Sequence, residues 1–435
     1  MTTGITQYKL ENGLMVSLKE IHTAPIVSHW VWFRVGSRDE LPGKTGLSHW
    51  VEHMQFKGTP QFPNTLLDKT ISRHGGIWNA FTYLDWTAYF ETLPADKLEL
   101  ALQIESDRMV NCLYSPKEVE SERSVIISER EGHENEPLFR LDEAIQHAAF
   151  DSHPYRYGTI GEKKDLRRIS REDLYNHYQT YYAPGNAVLA IAGDFNTDIV
   201  IPKIKEIYGA IKTGCPAIHN SQHEPPPGSE RRLEVRGPGE TTYLQLAYRS
   251  PQAAHDDFFA FSVLNSLLTG PSGLSFFGGG GISNKTSRLY RSLVEKDWAI
   301  SVGGGLQATI DPFFYEIMIT VRPDQKPGMI LDVVDNEICR LQDSLVPTEE
   351  IDRAIKQARA LFAYSTENIT NQAFWLGYAE MFASYDWFVH YVDHLSKITP
   401  ADIQRIAQEY LRPSRRVVGT YLPGKRKRII THAAT

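Results

Sequence analysis

Two stretches of this chain, residues 169–184 and 398–413, share residues at one fixed offset. Ile169, Asp173, Tyr181 and Pro184 in the first match Ile398, Asp402, Tyr410 and Pro413 in the second. Each stretch is followed by a strand-like run, Ala187 to Ala192 and Arg416 to Tyr421. A helix that stops at a proline and hands over to a strand, met twice at one spacing, predicts a duplicated folding unit. Length agrees, because 435 residues strain a single hydrophobic core and fit two. The tract from Gly214 to Gly228 concentrates Pro, Asn, Ser and Gly, with Pro225, Pro226 and Pro227 in succession, and such a stiff polar tract reads as a linker. The expected organisation is a domain over 1–213, a linker over 214–230 and a homologous domain over 231–435.

Both units begin with strands and continue with helices. From Tyr8 to Leu18 the pattern is a hairpin turned by Asn12 and Gly13, and Ile26 to Val35 is a β-branched and aromatic run. A helix then begins near Thr45 or Gly46, with Leu47, Trp50, Val51 and Met54 as its apolar stripe. Helical patterns return over Lys97 to Val110 and Lys117 to Glu136. The second unit opens with strands at Arg231 to Val235 and Tyr243 to Tyr248, before a helical pattern over Asp256 to Leu268 that carries no histidine pair.

A formal charge of −7 leaves no basic field for nucleic acid or an anionic membrane. The three cysteines, Cys112, Cys215 and Cys339, are too isolated for a disulfide framework or a thiolate zinc knuckle, so any metal must be held by histidine and carboxylate. The first residues carry neither a basic leader nor an apolar core, and no stretch approaches the roughly 20 apolar residues of a spanning helix. The expectation is a cytoplasmic protein, or a periplasmic one where a leader has been removed. Glycines 278–281 lack the Lys-Ser or Lys-Thr of a phosphate loop and read as a mobile loop, and the basic run 425–428 reads as a solvated tail.

Candidate chemistry lies in the first unit. His49 and His53 are four apart and share one helical face, so their imidazoles can converge on one ion. Glu52 lies beside them, placed to orient a metal-bound water without itself ligating. A third ligand should be a carboxylate from another element. Glu122 and Glu129 lie two turns apart on one helical face, so that Glu129 could ligate while Glu122 supports a ligating histidine. Spacing alone leaves Glu118, Glu120, Glu131 and Glu134 open as well.

The run His49-x-x-Glu52-His53, then Phe56 to Thr59, then Glu122 and Glu129, resembles the inverted zinc motif of the M16 or pitrilysin-like peptidases. Gly75 to Thr82, Tyr89-Phe90, His153-Pro154 and Tyr182 to Asn186 are also similar to that family, and the likeness covers nearly the whole chain. The resemblance implies an α+β fold of two related domains, each a mostly antiparallel sheet packed against helices, at the length of the family's half-clam members. It implies a zinc endopeptidase with one Zn2+ per chain on His49, His53 and Glu129, Glu52 as general base and Glu122 as an active-site support. Trp78, Asn79, Ala80 and Phe81 are then the substrate-binding edge, where backbone groups pair with an extended peptide or unfolded polypeptide and Asn79 hydrogen-bonds near the scissile carbonyl.

The sequence departs from the family in one place. Many catalytic members carry an Arg and a Tyr as a clamp on the substrate, and here Val294 and Ser301 stand at those positions. Arg288, Tyr290 and Arg291 lie nearby but out of register, and read as packing or salt-bridging residues. The resemblance therefore implies a zinc-bearing subunit whose partner, a homologous chain, supplies the Arg and Tyr across an interface. The competing expectation is a noncatalytic peptide-binding or assembly subunit.

Overall fold

Asn12 and Gly13 turn the chain between β1 (Ile5–Lys9) and β2 (Met15–Glu20), which pair antiparallel from Lys9 opposite Met15 to Ile5 opposite Lys19. The computed structural model of the protein describes residues 4–214, 219, 224–273 and 282–424. The glycine loop 278–281, the basic run 425–428 and much of the linker tract lie outside them. The hairpin joins β3 (Ile26–Phe33), β4 (Ile77–Thr82), β5 (Thr87–Pro94) and β6 (Ala187–Gly193) in a six-stranded sheet of order β1-β2-β6-β3-β5-β4. A second sheet, of order β7-β11-β8-β10-β9, is built from β7 (Arg231–Gly237), β8 (Thr242–Arg249), β9 (Ala299–Gly305), β10 (Phe314–Val321) and β11 (Arg416–Pro423).

The two sheets repeat one plan, which bears out the duplication. In each, the final strand runs parallel to the first strand of the repeat and antiparallel to the second: β6 beside β2 and β3, β11 beside β7 and β8. An edge strand closes each sheet, β4 in the first and β9 in the second. The shared Asp of the sequence repeat has a physical role in both copies. Asp173 and Asp402 each complete a reciprocal cap at a helix start, with Ser170 and with Thr399. Most pairings are antiparallel and helices cover both sheets, so the chain is an α+β protein of two related halves.

One helix in each half crosses over. Helix Pro137–Ala149 belongs to the first half, yet its Leu141 and Ile145 pack on Ala247, Val417 and Tyr421 of the second sheet. Helix Ile369–Phe382 belongs to the second half and lies on β3 and β6 of the first sheet. Side chains alternate along β3, so Trp30 and Trp32 face this visiting helix while Val27, Val31 and Phe33 face the first half's own helices. Phe374 meets both indoles edge-on, at 5.5 and 5.3 Å.

Both crossings need a glycine. A Cβ on Gly377 would lie 2.2 Å from Trp32 Cδ1, and one on Gly419 of β11 would lie 2.6 Å from Ile145 Cδ1. Backbone thus touches side chain at the centre of each crossing. Among the described residues no helix is long and apolar enough to cross a membrane.

Candidate metal centre

Helix Leu47–Gln55 carries the histidine pair and starts at a buried carboxylate. Glu40 accepts from the backbone N–H of Gly46 and of Ser48, each at 2.7 Å, so both of its oxygens cap the helix. Burial pushes the Glu40 carboxyl up to about 8, against these two hydrogen bonds. Leu47, Trp50, Val51 and Met54 are buried in the first-half core, which turns His49, Glu52 and His53 toward helix Pro116–His133.

Facing atoms then converge. His49 Nε2 is 3.8 Å from Glu129 Oε1, and His53 Nε2 is 3.6 Å from Glu129 Oε2. One ligand atom from each of the three residues lies within 4.8 Å of the others, the one such cluster among the described residues. Two imidazoles and a carboxylate closing on one point are the donor set of zinc with a coordination position to spare. Protonation suits a metal as well. Burial, helped by the neighbouring His53 and His133, pushes His49 down to about 3, which leaves the neutral imidazole that a metal needs.

Glu122 lies behind His53 and accepts from its Nδ1 at 2.8 Å, leaving Nε2 turned toward Glu129. Lys57 pairs with the same carboxylate. Burial opposes charge on His53, but Glu122, Glu52 and Glu129 outweigh it and raise its pKa. Three of the other acids left open by spacing pair elsewhere: Glu131 and Glu134 with Lys163, at 3.4 and 2.6 Å, and Glu120 with Arg123 at 2.8 Å.

Glu52 has its Oε2 held by the Thr82 hydroxyl at 2.6 Å. Burial raises its pKa, and the Thr82 bond works against that rise. A carboxylate pinned through one oxygen and lifted toward neutrality by burial is suited to take and return a proton.

The sheet places the expected substrate edge beside this group. Strand β4 pairs with β5 on one side only. Ala80, Phe81 and Thr82 line a cavity of about 490 Å³ together with His49, Glu52 and Glu129. Trp78 points elsewhere: it packs on Phe56, with ring centres 4.7 Å apart, and donates to Asp68. Asn79 folds back, its Oδ1 accepting from Ala80 N at 2.9 Å. The opposite wall of the cavity comes from the second half, through Gln307, Phe313, Phe314 and Glu316.

Val294 and Ser301 do not line that cavity. Val294 packs partly buried against the second-half core, and Ser301 on β9 donates to Thr320 at 2.8 Å. Arg288 pairs with Glu350 at 3.2 Å, as expected of a structural residue. Sequence reasoning missed Glu40, the part played by Thr82, and His133, which shares the cavity lining. For His133 the signal was present, since it stands four residues after Glu129 on the same helix.

Comparison with known proteins covers both halves of the chain. Residues 15–163 match the family model described as Insulinase (Peptidase family M16), and residues 168–358 match the one described as Peptidase M16 inactive domain. An uncharacterized zinc protease of Mycobacterium leprae is 26% identical over 98% of this chain and 94% of its own length. The mitochondrial-processing peptidase subunit beta of Caenorhabditis elegans is 31% identical over 60% of this chain and 56% of its own length. The crystal structure of a protease from Helicobacter pylori superposes with a TM-score of 0.88, covering 96% of this chain and 99% of that one at 24% identity. With one M16 model over the segment that carries His49, His53 and Glu129, and the other running from residue 168 near the end of the first half into the second, the chain belongs to peptidase family M16, as a half-size member.

Proposed function

We propose that this chain is a zinc-dependent endopeptidase acting on peptides or unfolded polypeptides inside a chamber closed by a second subunit. The observation that carries the reading is the convergence of His49, His53 and Glu129 beside the pinned carboxylate of Glu52. A zinc ion held by those three ligands would supply a Lewis acid for the peptide carbonyl and lower the pKa of a bound water.

The remaining work falls to this chain's own residues. Strand β4 offers unpaired backbone groups to an extended substrate, which selects conformation before side chain. Glu52 takes the proton of the attacking water and later delivers it to the leaving amine, while Thr82 fixes the direction of the carboxylate. Walls from both halves keep bulk water off the reacting bond.

The second subunit is a homologous chain that brings the Arg and Tyr absent at Val294 and Ser301. Similarity to a relative named as a subunit supports pairing. The same two positions favour the second reading, a noncatalytic peptide-binding or assembly subunit, and one experiment separates the two. Zinc-loaded wild type mixed with its co-purifying homologue should hydrolyse quenched peptides, and Glu52→Gln should keep its zinc and lose turnover by about 10²- to 10⁴-fold. A mixture that binds peptide and zinc without cleaving it establishes the noncatalytic reading. Equal turnover by the isolated chain and the pair removes the need for a partner.

A further inference from the structure

The metal centre has one more proton-bearing group at its edge, and neither the ligand set nor the general base accounts for it. His133 lies one helical turn beyond Glu129, so its ring projects from the same face of helix Pro116–His133. Its Nε2 is 3.8 Å from Glu129 Oε1, the same separation that His49 Nε2 keeps from that oxygen. Nδ1 faces Glu136 Oε1 at 3.5 Å. Both distances exceed a normal N–H···O hydrogen bond, so neither carboxylate captures the ring's proton.

Packing holds the imidazole in this attitude. It stacks on Phe139 with centroids 5.3 Å apart and planes 24° apart, which leaves its edge free while its face is covered. The side chain is 41% exposed and lines the cavity shared by His49, Glu52, Glu129 and the edge strand. It stands outside the compact ligand cluster, whose members are His49, His53 and Glu129. An imidazole carries at least one N–H in its neutral form and two in its charged form, so a donor is present in either state.

We propose that His133 is a catalytic residue that donates a hydrogen bond to the scissile carbonyl oxygen as that oxygen gains charge. The proposal rests on the peptidase reading given above. In the addition step the water oxygen bonds to the carbonyl carbon, the water proton passes to Glu52, and the carbonyl π pair moves onto the oxygen, where His133 meets it. In the second step the π pair returns, the C–N bond breaks, and Glu52 gives its proton to the nitrogen. His133 neither gains nor loses a proton, and its contribution is made where negative charge is greatest.

The test uses the zinc-loaded protein with its partner subunit and an internally quenched peptide library. His133→Phe preserves the stack on Phe139 and deletes the donor, whereas His133→Gln keeps an N–H of shorter reach. In His133→Phe, kcat should fall by about 10²-fold with KM within about threefold of wild type. Affinity for a non-cleavable phosphinic peptide, read by calorimetry, should fall in parallel, and zinc per chain should not change. His133→Gln should recover at least about tenfold of the lost kcat.

Unchanged turnover and phosphinic-peptide affinity in His133→Phe would overturn the proposal and leave the peptidase reading intact. Zinc lost from His133→Phe would also overturn it, by making His133 a ligand. A rise in KM alone would overturn it by making the residue a binding contact. If wild type with its partner cleaves nothing, both readings fall together.

Discussion

Replacing Glu122 tests whether the metal centre depends on the carboxylate behind it. Glu122 accepts from His53 Nδ1 at 2.8 Å and pairs with Lys57, which fixes the ring with Nε2 toward Glu129 and would make it a stronger donor to a metal. Outer carboxylates of this kind are worth about 10- to 100-fold in metal affinity, or about 1.4 to 2.7 kcal/mol. The structure places two substitutions at opposite ends of that range. In Glu122→Gln an amide oxygen still accepts from Nδ1 while the charge is lost, so zinc should bind about tenfold more weakly. Glu122→Ala also removes the acceptor from a half-buried imidazole and strands Lys57, so the loss should approach about 100-fold. Competition for zinc against a chelating dye reads both constants, with circular dichroism as the check on folding. Affinities within about twofold of wild type in both variants would refute the supporting role, and losses beyond about 1000-fold would make Glu122 a ligand in its own right.

Other consequences can be measured without a substrate. Burial, followed by the charge of Asp142, pushes the Glu316 carboxyl up to about 7 from an ordinary 4.5. The folded state therefore holds this proton longer than the unfolded chain, and stability should fall as pH rises from about 4.5 to about 7. Thermal midpoints should decline across that window in wild type and decline less in Glu316→Gln; parallel slopes would sink the assignment. Gly377→Ala should cost about 2 kcal/mol, because overpacking against the rigid Trp32 indole costs up to about 3 and helix propensity returns about 1. Gly419→Ala meets the flexible ends of Ile145 and Leu141 and should cost less. Urea midpoints that place Gly377→Ala at or above wild type would show that the visiting helix gives way freely.

Much of the site was legible because its signals are local. The four-residue spacing of His49 and His53 follows directly from helical periodicity, and helix Leu47–Gln55 starts one residue after Gly46, as its apolar stripe requires. The hairpin at Asn12 and Gly13 and the opening strands of both units were local in the same sense. Glu129 was harder, since six glutamates crowd 118–134 and composition does not rank them. The packing of two helices separates them by position: it brings Glu129 to the histidines, Glu122 behind one of them, and leaves Glu120, Glu131 and Glu134 to Arg123 and Lys163. Thr82 belongs to a recognisable segment, yet its bond to Glu52 depends on how β4 passes the helix. Least legible was the crossing of helices. Strand β3 is apolar on both faces, which demands cover on both, but nothing in its own residues says that the second cover comes from 369–382.

That crossing bears on what the ancestor of this chain was. Each half lends a helix to the sheet of the other, at equivalent places in the duplicated plan. Severed at the linker, the first half would expose Trp30 and Trp32 and the second would expose Val417 and Tyr421, apolar faces too large to leave in water. A gene encoding one half would thus have made an obligate two-fold pair with exchanged arms, and tandem fusion would have joined both members of that pair in one chain. Once joined, the copies were free to diverge: one arm-exchanged unit kept the histidines, and its twin became the scaffold opposite them.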